Sequence, residues 1–174
     1  MNSSTETKLK KIERASNVLR GVSHALFVPV VIVGLAATVS ILAGWSAHID
    51  YQGQSYVPST MTLSARLILA VVVIITGAVL LKGLHHLRRL ANNYSRREIF
   101  TAESARQVCQ VGISFVLWGV VKVVWTFLPL ALATNQPPVY NASTDAILMG
   151  AVIIGLSWFA EMAAAMRAEN DLTI

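Results

Sequence analysis

The sequence predicts an all-α integral membrane protein, a four-helix bundle with short outer loops and a cytoplasmic middle loop. Composition is the first of three observations behind this. Of 174 residues, 55% are hydrophobic and only 13% charged, and mean hydropathy is +0.59. A water-soluble domain carries about 25% charged residues, and disorder needs low hydrophobicity and high charge. The second is clustering of the charges. Gly21–Ile49 contains no Asp, Glu, Lys or Arg; Leu67–Leu87 contains only Lys82, Gln107–Thr144 only Lys122, and Ala146–Met166 only Glu161. The third is length, because each run reaches the roughly 20 apolar residues that a helix needs to cross the hydrocarbon core.

The first span is placed near Ala25–Trp45. Basic residues precede it, but its apolar run exceeds the ~7–15 residues of a signal-peptide core, so it is read as a mature span. The second, near Leu67–Leu87, contains the strand-like run Val71–Ile75. Lipid overrides that preference, because backbone polar groups there must be paired within the segment. The third and fourth are placed near Val108–Ala131 and Ala146–Met166. Pro29 and Pro129 fall inside the first and third spans, where kinks are tolerated if neighbours satisfy the freed carbonyl. The whole chain is one four-span domain, with tails at residues 1–20 and 167–174 and a middle loop at residues 88–107.

Orientation follows from the basic residues. Lys8, Lys10, Lys11, Arg14 and Arg20 lie in the N-terminal tail, Arg88, Arg89, Arg96, Arg97 and Arg106 in or beside the middle loop, and Arg167 in the C-terminal tail. The loops Ser46–Thr62 and Thr134–Asp145 have none. Both termini and the middle loop are therefore expected in the cytoplasm. The net charge of +5 is explained by topology and anionic headgroups, without nucleic acid. Trp45, Tyr51, Tyr56 and Tyr140 fall where outer aromatic belts sit. Cys109 is the only cysteine, which excludes an intramolecular disulfide and a thiol metal cluster. Asn141-Ala-Ser143 matches a glycosylation sequon, a short and weakly specific pattern.

In the middle loop, Ser95 and Glu98 fit a capping box. Thr101 reads as a second N-cap, with Glu103 in the first turn where a carboxylate suits the helix dipole. Ile99-Phe100 is an apolar pair before that cap. The segment Glu98-Ile-Phe-Thr-Ala-Glu-Ser-Ala-Arg106, with the ending Arg167-Ala-Glu-Asn-Asp-Leu-Thr-Ile174, resembles the bacterial DUF2975 family, domain of unknown function 2975. Arg97 stands where that family has Gly, Ser104 where it has Asn, and Ala163 where it often has Gly. The resemblance implies a four-span protein of the bacterial inner membrane with no established reaction. It also implies a neighbouring small helix-turn-helix regulator as partner. The motif carried over is Arg96, Arg97, Glu98, Ile99, Phe100, Thr101 and Glu103.

The intramembrane charges form the second candidate constellation. A charged residue at the bilayer centre costs at least ~2.5 kcal/mol even on insertion scales, so Lys122 is expected to face the interior. Gly112, Phe115, Gly119, Lys122 and Thr126 share a helical stripe, as do Gly150, Ile154, Ser157 and Glu161. Counted from the outer ends of their spans, Lys82 and Glu161 come out at nearly one depth, with Lys122 roughly 8–12 Å nearer the outside. Lys82–Glu161 is therefore the expected ion pair, and Lys122 is left to hydroxyls such as Thr126 or Ser157. Two readings stay open: these charges fix register, or they line a polar pocket for an anion, a headgroup or a proton. Lys82, His85, His86 and Arg89 read as one interfacial cationic stripe. A haem would need a second ligand at matching depth, for which His24 is the only candidate; no cofactor or metal is expected.

No GxSxG, HExxH or phosphate-binding glycine loop is present, and the expectation is a non-enzyme. The leading function is a regulatory or immunity-type membrane partner, able to homo-oligomerise, that signals through its cytoplasmic loop. The rival is a small transporter or channel subunit built around Lys122 and Glu161. A reporter fused after Ile174 should report a cytoplasmic C-terminus; a periplasmic signal overturns the orientation.

Overall fold

The computed structural model describes residues 3–46, 48–51, 54–96, 101–132 and 144–172. Helix α1 covers Ser3–Ala43 without a break, Pro29 included. It ends where Gly44 takes a φ of +67°, a left-handed conformation that glycine adopts at no steric cost. That turn lets the Gly44 and Trp45 amides bond to the carbonyls of Ile41 and Ser40, both at 3.1 Å, satisfying the last turn of the helix. The Arg66 guanidinium lies against Gly44, in the space a Cβ would need.

The segment between α1 and α2 contains regular structure. Strands β1 (Ile49–Tyr51) and β2 (Gln54–Tyr56) form an antiparallel hairpin with Ile49 opposite Tyr56. A 3-10 turn at Pro58–Thr60 follows. Helix α2 covers Leu63–Ser95, with the Thr62 hydroxyl accepting from the Ala65 amide. Its apolar part ends near Leu87, but the helix continues for two more turns. The expected middle loop is therefore largely helical. Ser95 closes α2 by donating to the Asn92 carbonyl at 2.8 Å; it does not start a new helix. Helix α3, Ala102–Ala131, begins at the expected cap: the Thr101 hydroxyl accepts from the Ser104 amide at 3.2 Å, and Glu103 sits in the first turn. Helix α4 covers Thr144–Leu172.

All four helices are long and apolar enough to cross a membrane. Their most apolar stretches are largely uncovered by protein. Only 6% of that stretch is buried in α1, against 39% in α3. Val33, Leu35, Trp158 and Phe159 are each more than 60% exposed, and apolar surface on this scale needs lipid as its solvent.

The helices pack in a row. α1 lies on α2, α2 on α3 and α3 on α4, and no other helix pair makes more than marginal contact. Lipid removes the hydrophobic drive between helices, so close fit holds them together. The closest fit is between α3 and α4. A Cβ on Gly112 would meet the Gly150 carbonyl oxygen at 2.9 Å and Ile154 Cγ1 at 2.7 Å, and one on Gly150 would meet the Gly112 oxygen at 2.7 Å. A second anchor sits at the other end, where Ile41, Tyr56, Leu69, Val121, Trp125 and Leu128 form a buried cluster. Tyr56 is thus a core residue, not the belt residue expected from sequence. Its ring meets Trp125 edge-on at 5.8 Å, and burial pushes its hydroxyl up to about 12.

Gly112→Val and Gly150→Val should each destabilise the fold by about 1–3 kcal/mol through overpacking. Gly155→Ala, with open space where the Cβ would go, should be neutral or slightly stabilising. Thermal unfolding in detergent distinguishes the three.

Candidate functional site

The contacts between helices give the depths of the intramembrane charges. Along α3, Gly112 faces Gly150 and Ile154, and Gly119 faces Ile147. Extending that antiparallel register sets Glu161 level with Ser104, about 27 Å along the axis from Lys122 at ~1.5 Å per residue. On the other side, Thr76 faces Trp125, Gly83 faces Ser114 and His86 faces Gln107. Lys82 is therefore level with Phe115, about 16 Å from the level of Glu161. The expected Lys82–Glu161 pair is not made. Both residues are exposed, and α3 stands between their helices. The reason is that α4 is displaced along α3, so the start of α4 is not level with the start of α2.

The other members of that constellation also resolve separately. The Lys122 ammonium lies over the Trp118 ring, 5.9 Å from its centroid, one helical turn toward the N-terminus of α3. The buried Thr126 hydroxyl donates to the Lys122 carbonyl at 3.0 Å, and the buried Ser157 hydroxyl to the Ile154 carbonyl at 2.6 Å. Both hydroxyls thus serve their own helices, and neither receives the ammonium. Lys82, Lys122 and Glu161 do not converge on one polar chamber.

A different polar assembly joins α2 and α3, and its central member carries no local sequence signal. Gln107 is 3% exposed. Its amide nitrogen donates to Glu103 Oε1 at 2.5 Å, and its oxygen lies 2.8 Å from His86 Nδ1. The amide oxygen can only accept, so His86 must carry its proton on Nδ1. The result is a directed relay, from His86 through Gln107 to Glu103. At the other end of the same interface, Trp125 Nε1 donates to the Thr76 hydroxyl at 2.9 Å, which in turn donates to the Val72 carbonyl at 2.7 Å. A Trp and a Thr forty-nine positions apart in the chain carry no local signal of this pairing. Arg66 stands at the edge of an uncharged run. Its Nε is buried with no hydrogen-bond partner among the described residues, near the start of α2.

The supposed cationic stripe divides. His86 turns to α3 and Gln107, whereas His85 lines a cleft with Arg88 and Arg89 that Lys82 does not reach. The two imidazoles cross edge-on, 5.5 Å apart. Among the described residues no group of three His, Cys, Asp or Glu could hold a metal ion.

Of the loop motif, Arg96 caps α2, its amide bonding to the Asn92 and Asn93 carbonyls at 3.2 and 3.1 Å, with its side chain exposed. Thr101 and Glu103 occupy their expected places at the start of α3. Arg97, Glu98, Ile99 and Phe100 lie outside the described residues. Fold and site thus define a multi-pass helical membrane protein with a polar lock between its two middle spans. No known protein family, curated protein or solved structure matches the chain.

Gln107→Leu should leave the half-buried His86 N–H without its partner and lower stability by about 1–3 kcal/mol. The measurement is apparent Tm in detergent. An unchanged Tm would show that the relay does not hold the helices.

Proposed function

We propose that this chain is a non-enzymatic, multi-pass protein of the bacterial cytoplasmic membrane, with both termini and the α2–α3 turn on the inside. In this reading it is a regulatory or immunity-type partner that passes a disturbance of its spans to the α2–α3 turn. The observation that carries the reading is the double tether between α2 and α3. Trp125–Thr76 joins them near one end, and His86–Gln107–Glu103 joins them near the other. Two helices tied at two levels move together, and the connection between them moves with them. The orientation rests on the basic residues of the N-terminal tail and of residues 88–106.

The proposal includes kinship with domain of unknown function 2975, on the strength of Glu98–Arg106 and the Arg167–Ile174 ending. A small helix-turn-helix regulator or another cytoplasmic protein is then the partner sought, alongside a second copy of the chain. The transporter reading has less support, because Lys122 and Glu161 stand about 27 Å apart along α3.

The test is capture of the partner by the full-length protein in native membranes. Arg96→Glu, Glu98→Arg and Phe100→Ala should each reduce capture of one defined cytoplasmic protein at least tenfold, while Lys122→Leu leaves it intact. Loss of phenotype in Lys122→Leu with capture unchanged in the loop variants would favour transport and overturn the proposal.

A further inference from the structure

The basic end of the molecule holds a feature that neither the packing of the spans nor the relay requires. A cleft of about 570 Å³ opens where α1, α2 and α3 approach one another. Arg20 reaches it from α1, and His85, Arg88 and Arg89 from α2. Asn92 and Asn93 line it one turn further along, and Glu103 closes it from the start of α3. Three guanidiniums thus share a cleft with one carboxylate, whose Oε1 already accepts from Gln107. Among the described residues none of the three arginines forms an ion pair. Like charges brought together by folding repel one another, and a bound anion relieves that repulsion.

Chemistry and depth both restrict the ligand. The planar fork of a guanidinium matches phosphate oxygens two at a time, and arginine is enriched wherever that recognition is needed. Arg20 is the last charge before the uncharged run Gly21–Ile49, and Arg88-Arg89 directly follow Leu87. These arginines therefore stand at one boundary of the apolar layer, where headgroups lie. The Asn amides and the free side of Glu103 suit hydroxyl groups next to the phosphate better than a second phosphate.

We propose that this cleft binds a phosphoryl anion carrying neighbouring hydroxyl groups, held by Arg20, Arg88 and Arg89. A glycerophosphate group fits that description. It can be presented by an acidic phospholipid of the adjoining leaflet or by a soluble phosphomonoester. The site is independent of any protein partner at the α2–α3 turn, so partner capture and anion binding fail separately.

The experiment uses the full-length protein in neutral detergent, with apparent Tm followed by tryptophan fluorescence. Phosphatidylglycerol added to the micelles should raise Tm by about 5 °C relative to phosphatidylcholine, the size expected of a ligand well above its Kd. Arg20→Gln with Arg89→Gln should abolish the rise. Arg14→Gln with Arg106→Gln, which removes equal charge outside the cleft, should preserve it. If soluble glycerol 3-phosphate gives the same rise, the site takes a free phosphomonoester; if only the lipid does, it reads the leaflet. Both outcomes support the proposal. No rise with either probe, or equal loss in the two double variants, overturns it. Should the cleft double variant not survive purification, Arg20→Gln and Arg89→Gln singly are each expected to halve the rise at least.

Discussion

A bilayer offers no water to hydrogen-bond with, so every polar group placed in it must find its partner within the protein. The arrangement of side chains in this structure follows from that constraint. The hydroxyls of Ser23, Thr38, Thr76, Ser114 and Thr126 each donate to a carbonyl one turn back on their own helix. Such bonds are local and need no neighbour, so they let small polar residues sit in a span without dictating how it packs. Polar atoms that cannot be satisfied locally behave differently. The Trp125 indole and the His86 imidazole reach across to α2 or α3, and in doing so they join the two helices.

Packing in lipid then rests on fit, since the acyl chains are as apolar as the residues they touch. The α3–α4 interface achieves fit by removing side chains at Gly112, Gly119 and Gly150, so that backbone nearly meets backbone. The α2–α3 interface achieves it with directed hydrogen bonds at each end. The two devices have different consequences. A glycine contact holds one register and tolerates no enlargement. A hydrogen-bonded tether holds orientation through direction and not through closeness of backbones.

The row of helices also explains the distribution of charge. With α3 between α2 and α4, Lys82 and Glu161 lie on separate helices at separate levels, and neither answers the other. The Lys122 ammonium instead meets the electron-rich face of Trp118, an attraction that grows as water is excluded. The basic residues at the other end of the spans have no such constraint. Arg20, Arg88 and Arg89 are exposed, and the packing of α1, α2 and α3 gathers them into one cleft.

The spans and the Thr101 cap were legible in the sequence because both are local, whereas Ser95 ends a helix it was expected to start. An apolar run reports its length to any reader, and Thr101 with Glu103 announces a helix start through backbone geometry alone. The individual polar roles were not legible. Gln107 looked like the end of a soluble loop, Tyr56 like an interfacial aromatic, and His85 and His86 like members of one stripe. Each role depends on what stands across from the residue. That is set by the axial shift of α4 along α3 and by the hairpin that returns Tyr56 to Trp125. By itself the sequence determined that the chain is built of four apolar helices with most of its basic residues at one set of ends, because transfer free energy accrues residue by residue. Tertiary structure alone decided which polar atoms meet, because a displacement of a few residues between neighbouring helices leaves every span equally apolar and changes every partner.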